Sequence, residues 1–369
     1  MKNVILFSDF REDNRLSMDL YSDMLEKYLS NNADGFVINR YVPKIPSYFN
    51  NKQGLRLARY ILYPIQTLGK KATIFHITDH GYGHLIYFLN PDKCVITVND
   101  LIPILRWKHM IPGVKQDHMP ILALISFYSL KRARHLIAIS NSTKNDLVEI
   151  LGINPRRISV IYDGVDTSFY SFDNNKKKEA RDKWFGNNNG FKRILITGSQ
   201  FYKNHETALK TIQLLQHNGI NNIHLIKTGP ITSEWMGLIK SYGLEKKVIN
   251  IGTVPREDLP SLYNSVDLLL FPSVYEGLGL PPLEAMACGT PVVSSNAASL
   301  PEVVGDAGLM RDPNDYVGFA DDIKVILSND EYYSNLVRKG LYRVRKFDWN
   351  NTAKQVLQIY NDMLKYATE

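Results

Sequence analysis

The stretch Tyr275-Glu276-Gly277-Leu278-Gly279-Leu280-Pro281-Pro282-Leu283-Glu284-Ala285-Met286-Ala287 decides how the chain is read. Val266 to Phe271 precedes it, an apolar run with the composition of a buried strand, which Pro272 and Ser273 end. Leu283 to Ala287 is rich in helix formers, and Pro281 or Pro282 suits a first helical turn, where a missing N–H is no loss. The segment therefore reads as strand, glycine loop and helix N-terminus. Such a turn presents free backbone N–H groups and the positive end of a helix dipole to an anion. Gly277 and Gly279 allow a ligand close to the backbone. Glu276 lies before the loop and Glu284 one turn into the helix. Carboxylates accept hydrogen bonds from hydroxyls, as on a sugar or a ribose. A phosphate-friendly loop flanked by two such acceptors suits a sugar nucleotide.

In the form EGLGLPPLEAMACGTPVV, Glu276 and Glu284 are separated by seven residues. This resembles the E-x7-E signature of the retaining glycosyltransferases of family 4, weakly over the first half of the chain and strongly from about residue 190 to 313. The resemblance implies an α/β chain of the GT-B class. Two Rossmann-like domains would face each other across a cleft, with a C-terminal helix crossing back to the first. The expected division is 1–168 for the acceptor side, 169–350 for nucleotide-sugar binding and 351–369 for the returning helix.

Composition agrees with a two-domain globular protein. The chain has 369 residues, 44% hydrophobic and 22% charged. Two cysteines, Cys94 and Cys288, in apolar contexts suggest neither a disulfide framework nor a metal cluster, which points to a reducing cytoplasm. The opening MKNVILFSDF is too short an apolar run for a signal peptide, and Met119 to Leu130 is too short for a membrane span. The net charge of +7 sits mostly in residues 1–170, with 21 Lys and Arg against 15 Asp and Glu. A basic half suits anionic lipid, an anionic acceptor or nucleic acid, and equally a generally basic proteome. The resemblance carries no nucleic-acid partner. Lys52 to Lys71 mixes basic and aromatic residues at helical spacing, and reads either as a membrane-surface helix or as a core helix with solvated bases.

Strand and helix alternate through both halves, implying parallel sheets with helices on both faces. Asn3 to Ser8 is a strand followed by a loop carrying Arg11 and Arg15, candidates for an anionic group. Ala72 to Thr78 leads to His80 and His84, and Cys94 to Val98 leads to Asn99. VITVNDLIP resembles the family's strand-end HD motif, in which the histidine contacts the donor sugar or its phosphate; Asn99 stands there and cannot carry a proton at neutral pH. Arg193 to Thr197 leads to Gly198-Ser199-Gln200-Phe201-Tyr202-Lys203, which resembles the family's phosphate loop. Lys203 matches its diphosphate lysine, and Ser199 stands where many relatives carry arginine. Gly252-Thr253-Val254 matches the segment whose backbone meets the nucleotide base. Asn174 to Gly190 reads as a loop with a short helix, and Asn351 to Tyr366 as the terminal helix.

The resemblance thus implies a retaining, metal-independent hexosyltransferase of polysaccharide biosynthesis that uses a GDP- or UDP-linked sugar, mannose or similar, as donor substrate and no cofactor. Its acceptor would be a glycan or a lipid-linked glycan, and its place the cytoplasm, with the inner face of a membrane as a candidate docking surface. Glu276, Lys203 and Asn99 are the catalytic candidates. Ser199, Lys203, Val254, Glu276, Gly277, Leu278, Gly279, Leu280 and Glu284 are the donor-binding candidates. Arg11, Arg15, His80 and His84 lie on the acceptor side. A non-catalytic sugar-nucleotide or glycan-binding protein, or an epimerase of similar fold, remains the alternative, kept open by Asn99 and Ser199.

Overall fold

A computed structural model describes residues 2–13, 15–33, 35–49, 51–186 and 190–365. The short apolar runs become parallel strands buried on both faces, which is why they read as continuous Val/Ile/Leu stretches and not as alternating ones. β1 (Lys2–Phe7), β2 (Phe36–Tyr41), β3 (Ile74–Ile77), β4 (Cys94–Val98), β5 (His135–Ala138) and β6 (Ile158–Val160) form one sheet in the order β2-β1-β3-β4-β5-β6. A second sheet has the order β12-β11-β10-β7-β8-β9. It is built from β7 (Lys192–Ile196), β8 (Ile223–Thr228), β9 (Val248–Gly252), β10 (Leu268–Phe271), β11 (Val292–Ser295) and β12 (Leu309–Arg311). The paired strands run parallel in both sheets. In each sheet the strand order reverses once, between β1 and β3 and between β7 and β10. Ligands of open α/β sheets bind outside the carboxyl ends of the strands at such a reversal.

The chain divides into two compact units, residues 1–164 with 347–369, and residues 165–346. In the first, one face of the sheet is covered by the helix Leu16–Asn32 and by the helix Trp349–Lys365. Ala353, Val356, Tyr360 and Met363 recur at helical spacing and join Val4, Leu6, Leu25, Leu29, Ile74 and Val95 in one core. Each buried Val, Leu, Ile or Met side chain among them contributes ~1.5–3 kcal/mol by leaving water. Trp349 stacks on Tyr28 with ring centroids 6.3 Å apart. Gly164 makes room for it, since a Cβ there would lie 2.3 Å from the Trp349 amide nitrogen. These contacts draw Phe347 to Trp349 into the first unit, ahead of the expected helix start at Asn351. The helix begins at Trp349, and its expected last residue, Tyr366, lies outside the described residues.

In the second unit, Ile194, Leu225, Leu268 and Val293 pack against Ala208, Ile212, Phe319 and Ile323 from flanking helices. Asn174–Phe185 is a twelve-residue helix, more than the short one expected in this polar segment. Asp173 caps it by accepting from the Lys176 amide at 2.9 Å. Its packing side is anchored by polar groups that hydropathy does not register: Arg181 on Asp267 at 3.0 Å, and the Trp184 indole N–H on the Ser261 hydroxyl at 3.2 Å.

His76, on β3, is fully buried between the Tyr360 hydroxyl (2.6 Å from Nδ1) and the Thr97 hydroxyl (2.8 Å from Nε2). Burial pushes its imidazolium down to about 3. The folded value lies below the unfolded one of ~6.5, so the neutral ring contributes stability that is whole above pH ~6.5 and drains away as pH falls towards the folded value. His76→Asn should therefore lose stability less steeply than the parent protein between pH 6 and 4, by up to ~1.4 kcal/mol per pH unit. Urea titrations at a series of pH values measure the two slopes; equal slopes would refute the burial argument.

Candidate functional site

The second sheet's reversal point gathers the sequence candidates. The loop after β7 carries Gly198 to Asn204 and the loop after β10 carries Pro272 to Gly279. Gly198 has φ +79° and Gly279 φ +109°, backbone that a side chain resists. At Gly279 a Cβ would also lie 2.9 Å from Leu300. The helix Leu280–Ala287 starts immediately after, with Pro281 and Pro282 in its first positions. The Ser299 hydroxyl donates to the carbonyls of Glu276 (2.9 Å) and Leu278 (2.7 Å), and the Val274 amide donates to Tyr202 O at 2.9 Å, locking the two loops together. Thr197, just past β7, and Ser273, two residues past β10, hold hydroxyls without a hydrogen-bond partner among the described residues. Neither was a sequence candidate.

Lys203 and Glu276 meet here. Nζ donates to Glu276 Oε1 at 2.8 Å, both side chains are buried, and the ammonium stands 4.5 Å from the centre of the Phe271 ring. Removing either partner leaves a buried charge unpaired, which is strongly destabilising. Ser199 is exposed, its amide donating to the Gln200 side chain at 3.2 Å. Val254 is half-buried just past the end of β9.

Glu284 is buried on the helix with both oxygens engaged, Oε1 by Arg256 Nη1 at 3.1 Å and Oε2 by the Tyr263 hydroxyl at 3.0 Å. Burial raises its carboxyl above the ordinary range, and Arg256 and Tyr263 offset part of that rise. An ionised carboxylate has about four acceptor sites, so two donors leave capacity for ligand hydroxyls. Arg256 also lies 3.8 Å from Asp166. Neither Arg256 nor Tyr263 stood out in the sequence. Both lie on the Arg256–Ser265 segment, whose register against the Glu284 helix is set by tertiary packing.

In the first unit the corresponding reversal point collects charges. Arg15, after β1, pairs with Asp79, after β3, and lies 3.8 Å from Asp9. Burial works to raise the Asp79 carboxyl, but Arg15 and the Gly81 amide outweigh it and hold it below the carboxylate range. Asp9 goes the other way, raised by burial and by its neighbour Asp79. Arg15 is thus engaged by carboxylates, while Arg11 is exposed on a 3-10 turn. His80 is buried 3.4 Å from Asp79 and accepts from the Asn99 amide at 3.4 Å. Burial, ahead of nearby charges, lowers its imidazolium. The Asn99 side-chain Nδ2 is buried without a partner among the described residues. His84 is held elsewhere: Nδ1 on Ser126 and Nε2 on the Arg59 carbonyl, both at 2.9 Å, so it ties two helices together. Among the described residues no group of three or more His, Cys, Asp or Glu side chains could hold a metal ion.

Residues 177–342 match the family described as Glycosyl transferases group 1, and residues 16–169 match Glycosyltransferase Family 4. The chain is 48% identical over 110 residues to O-antigen chain mannosyltransferase B of Escherichia coli, covering 30% of this chain and 29% of that protein. It is 29% identical over 288 residues to Serotype-specific mannosyltransferase WbdA of Escherichia coli, covering 76% of this chain and 34% of that protein. It therefore spans about a third of the length of these curated relatives. Sucrose-phosphate synthase from Thermosynechococcus elongatus has the same fold, with a TM-score of 0.79 at 19% identity, covering 99% of this chain and 100% of that one.

The Glu284 cluster makes a direct prediction. Tyr263→Phe leaves Oε2 buried with one donor fewer, which should cost ~1–3 kcal/mol of unfolding free energy. Chemical denaturation followed by fluorescence measures the loss; an unchanged midpoint and slope would show that the hydroxyl contributes nothing.

Proposed function

The chain belongs to the family 4 glycosyltransferases with the GT-B fold, and we propose that it moves a hexose, with retention, from a GDP- or UDP-linked donor to a glycan or lipid-linked glycan acceptor in polysaccharide biosynthesis. Mannose is the favoured hexose, because two matched relatives are named as mannosyltransferases. The observation that carries the reading is the buried Lys203–Glu276 pair at the sheet's reversal point, beside a helix N-terminus.

The residues divide the work by position. Glu284 accepts from the ribose hydroxyls, and the turn at Val254 meets the base. The amides of Gly277 to Leu280 and the Lys203 ammonium take the diphosphate, on which charge grows as the glycosidic bond breaks. A donor placed in advance for such charge is typically worth ~3–4 kcal/mol of barrier. With a lysine and a helix N-terminus supplying that stabilisation, the step proceeds without a divalent cation. Glu276, just before the glycines, stands on the sugar side, where its negative charge favours the cationic sugar of the transition state and steadies Lys203. Asn99 and His80 are the first unit's polar groups for the sugar or the acceptor. Retention is read as attack from the leaving-group face, with the departing phosphate as base.

Losing a hydrogen bond to a charged acceptor costs roughly 1.5–3 kcal/mol, so Glu284→Ala should raise the donor KM about ten- to a hundredfold. Glu276→Gln keeps the size and removes the charge, and should cut kcat much more than it raises KM. Steady-state kinetics with GDP-mannose and other donors, with melting temperatures as the fold control, decide it. Near parental kcat in the Gln variant would overturn the Glu276 role. Donor binding with no turnover would favour the non-catalytic reading.

A lipid-linked acceptor brings the protein to a membrane, and the first unit has a surface suited to that. No helix among the described residues is long and apolar enough to cross a bilayer. Leu57, Ile61, Ile65 and Leu68 are nonetheless 49% to 57% exposed along one helical segment, and Ile121, Ile125 and Tyr128 are exposed along another. His84 ties the two segments together. Residues 52–71 and 119–134 contain no Asp or Glu, and Lys52, Arg56, Lys71, Lys131 and Arg132 are exposed around the apolar rows. Apolar rows rimmed by cations fit the interface of an anionic bilayer. Co-sedimentation should show binding to vesicles containing anionic lipid at low salt, weakening as salt rises, and Ile61→Ser with Ile65→Ser should reduce it severalfold. Equal sedimentation with neutral and anionic vesicles would remove the anionic-surface role, and no sedimentation with either would remove the membrane role.

A further inference from the structure

Lys227 stands where a doubly covered parallel strand ordinarily carries an apolar residue. It lies near the carboxyl end of β8 and its side chain is fully buried. Nζ donates to the Gly198 carbonyl at 2.6 Å and to the Thr228 carbonyl, and it stands 5.5 Å from the centre of the Trp235 ring. Among the described residues the ion pairs include none for Lys227. Two carbonyl dipoles are partial compensation, and a buried ion without a counter-charge is costly. Burial accordingly pushes its amine down to about 8.

The groups around it leave the missing counter-charge to a ligand. From the helix His205–His217, His205 faces it, and burial followed by the charge of Lys227 pushes that imidazole down to about 3, so it is neutral. From the helix Ser233–Ser241 comes the Trp235 ring, whose N–H donates to His205 at 3.0 Å. From the loop after β7 comes Lys203, whose charge is already met by Glu276. Gly198 lies against both lysines: its carbonyl takes the Lys227 ammonium, and a Cβ on it would lie 3.1 Å from Lys203 Cε. The adjoining Ser199 brings no charge.

We propose that Lys227 is the second cation of the diphosphate subsite, a positioning residue that holds the Gly198 turn from below and whose uncompensated charge is met by the diphosphate of the bound nucleotide. The inference rests on the nucleotide-sugar reading and adds a residue to it. An arriving dianion favours the charged amine, so the Lys227 pKa rises on binding. Near pH 8 binding must then draw a proton from solution, whereas at pH 6 the amine is already charged and draws none.

Calorimetric titration of the full chain with GDP, UDP, guanosine and uridine, each in two buffers of different ionisation enthalpy, reads affinity and proton uptake together. The parent protein should take up a fraction of a proton with the diphosphate at pH 8 and none with the matching nucleoside. Lys227→Met should weaken the diphosphate tenfold or more, leave the nucleoside within twofold and abolish the uptake. Lys227→Arg, charged at every pH used, should keep most of the affinity without the uptake. Melting temperatures of both variants report whether they fold. Equal weakening of diphosphate and nucleoside, or unchanged uptake in the folded Met or Arg variant, overturns the role of Lys227 while leaving the nucleotide site standing. Failure of the parent protein to bind either diphosphate overturns the nucleotide-sugar reading and this inference with it.

Discussion

The contact between Lys203 and Glu276 is local in space and long-range in sequence, and much of the second unit is arranged to permit it. Two strands far apart in the chain, β7 and β10, must lie side by side for their loops to meet. Both loops must also bend where a side chain would obstruct them, at Gly198 and Gly279. Phe271 provides an aromatic face under the ammonium, and Ser299 fixes the backbone that carries the carboxylate. A buried ion pair is weak as a source of stability, because desolvation offsets most of its Coulomb energy. Its value here is positional: two groups of opposite charge are held at fixed places where the two loops meet.

The first unit repeats the arrangement with a different balance. Arg15 and Asp79 occupy the same topological place, the loops flanking the strand-order reversal, and a second carboxyl, Asp9, raised by burial and by Asp79, joins them. An arginine so engaged is a poor receptor for phosphate. The orphaned amide of Asn99 and the neutral imidazole of His80 are better suited to a neutral, hydroxyl-rich ligand, which they can meet without a change of charge.

Reading the sequence grouped the second unit's candidates around one loop because their signals are local. The glycine loop, the two prolines at the helix start and the seven-residue spacing of Glu276 and Glu284 are properties of one short segment, and the helix Leu280–Ala287 follows them closely. Alternating strands and helices likewise conveyed two parallel sheets, since buried strands of this kind are short and apolar. What escaped was set by tertiary contact. Arg256 and Tyr263 become partners of Glu284 only after β9 and β10 have placed their helix. Lys227 looks like an ordinary strand-end lysine until its ammonium is seen beneath Gly198. His84 seemed to belong with His80, four residues away, but the 3-10 helix His80–Phe88 turns it into the seam between two helices. The helix Asn174–Phe185 was under-read because its packing face is made of Arg181 and Trp184 and not of aliphatic residues.

The division of the chain bears on how the protein is made. The first unit is discontinuous: residues 165–346 are inserted between its sixth strand and the segment that completes its core. During synthesis, its sheet emerges with the face destined for Ala353, Val356 and Tyr360 uncovered, and the whole second unit must be translated before that cover arrives. At typical elongation speeds of ~5–20 residues per second the wait is on the order of ten seconds or more, long enough for collapse and for association with other chains. The exposed strip is apolar, the kind of surface that associates while it waits. The second unit, continuous in sequence, can fold on the ribosome without waiting. Closing the long intervening loop adds little entropy cost, since each doubling of loop length costs only ~0.6 kcal/mol. The burden of the insertion is therefore kinetic, and it falls on the half of the molecule that is synthesised first and finished last.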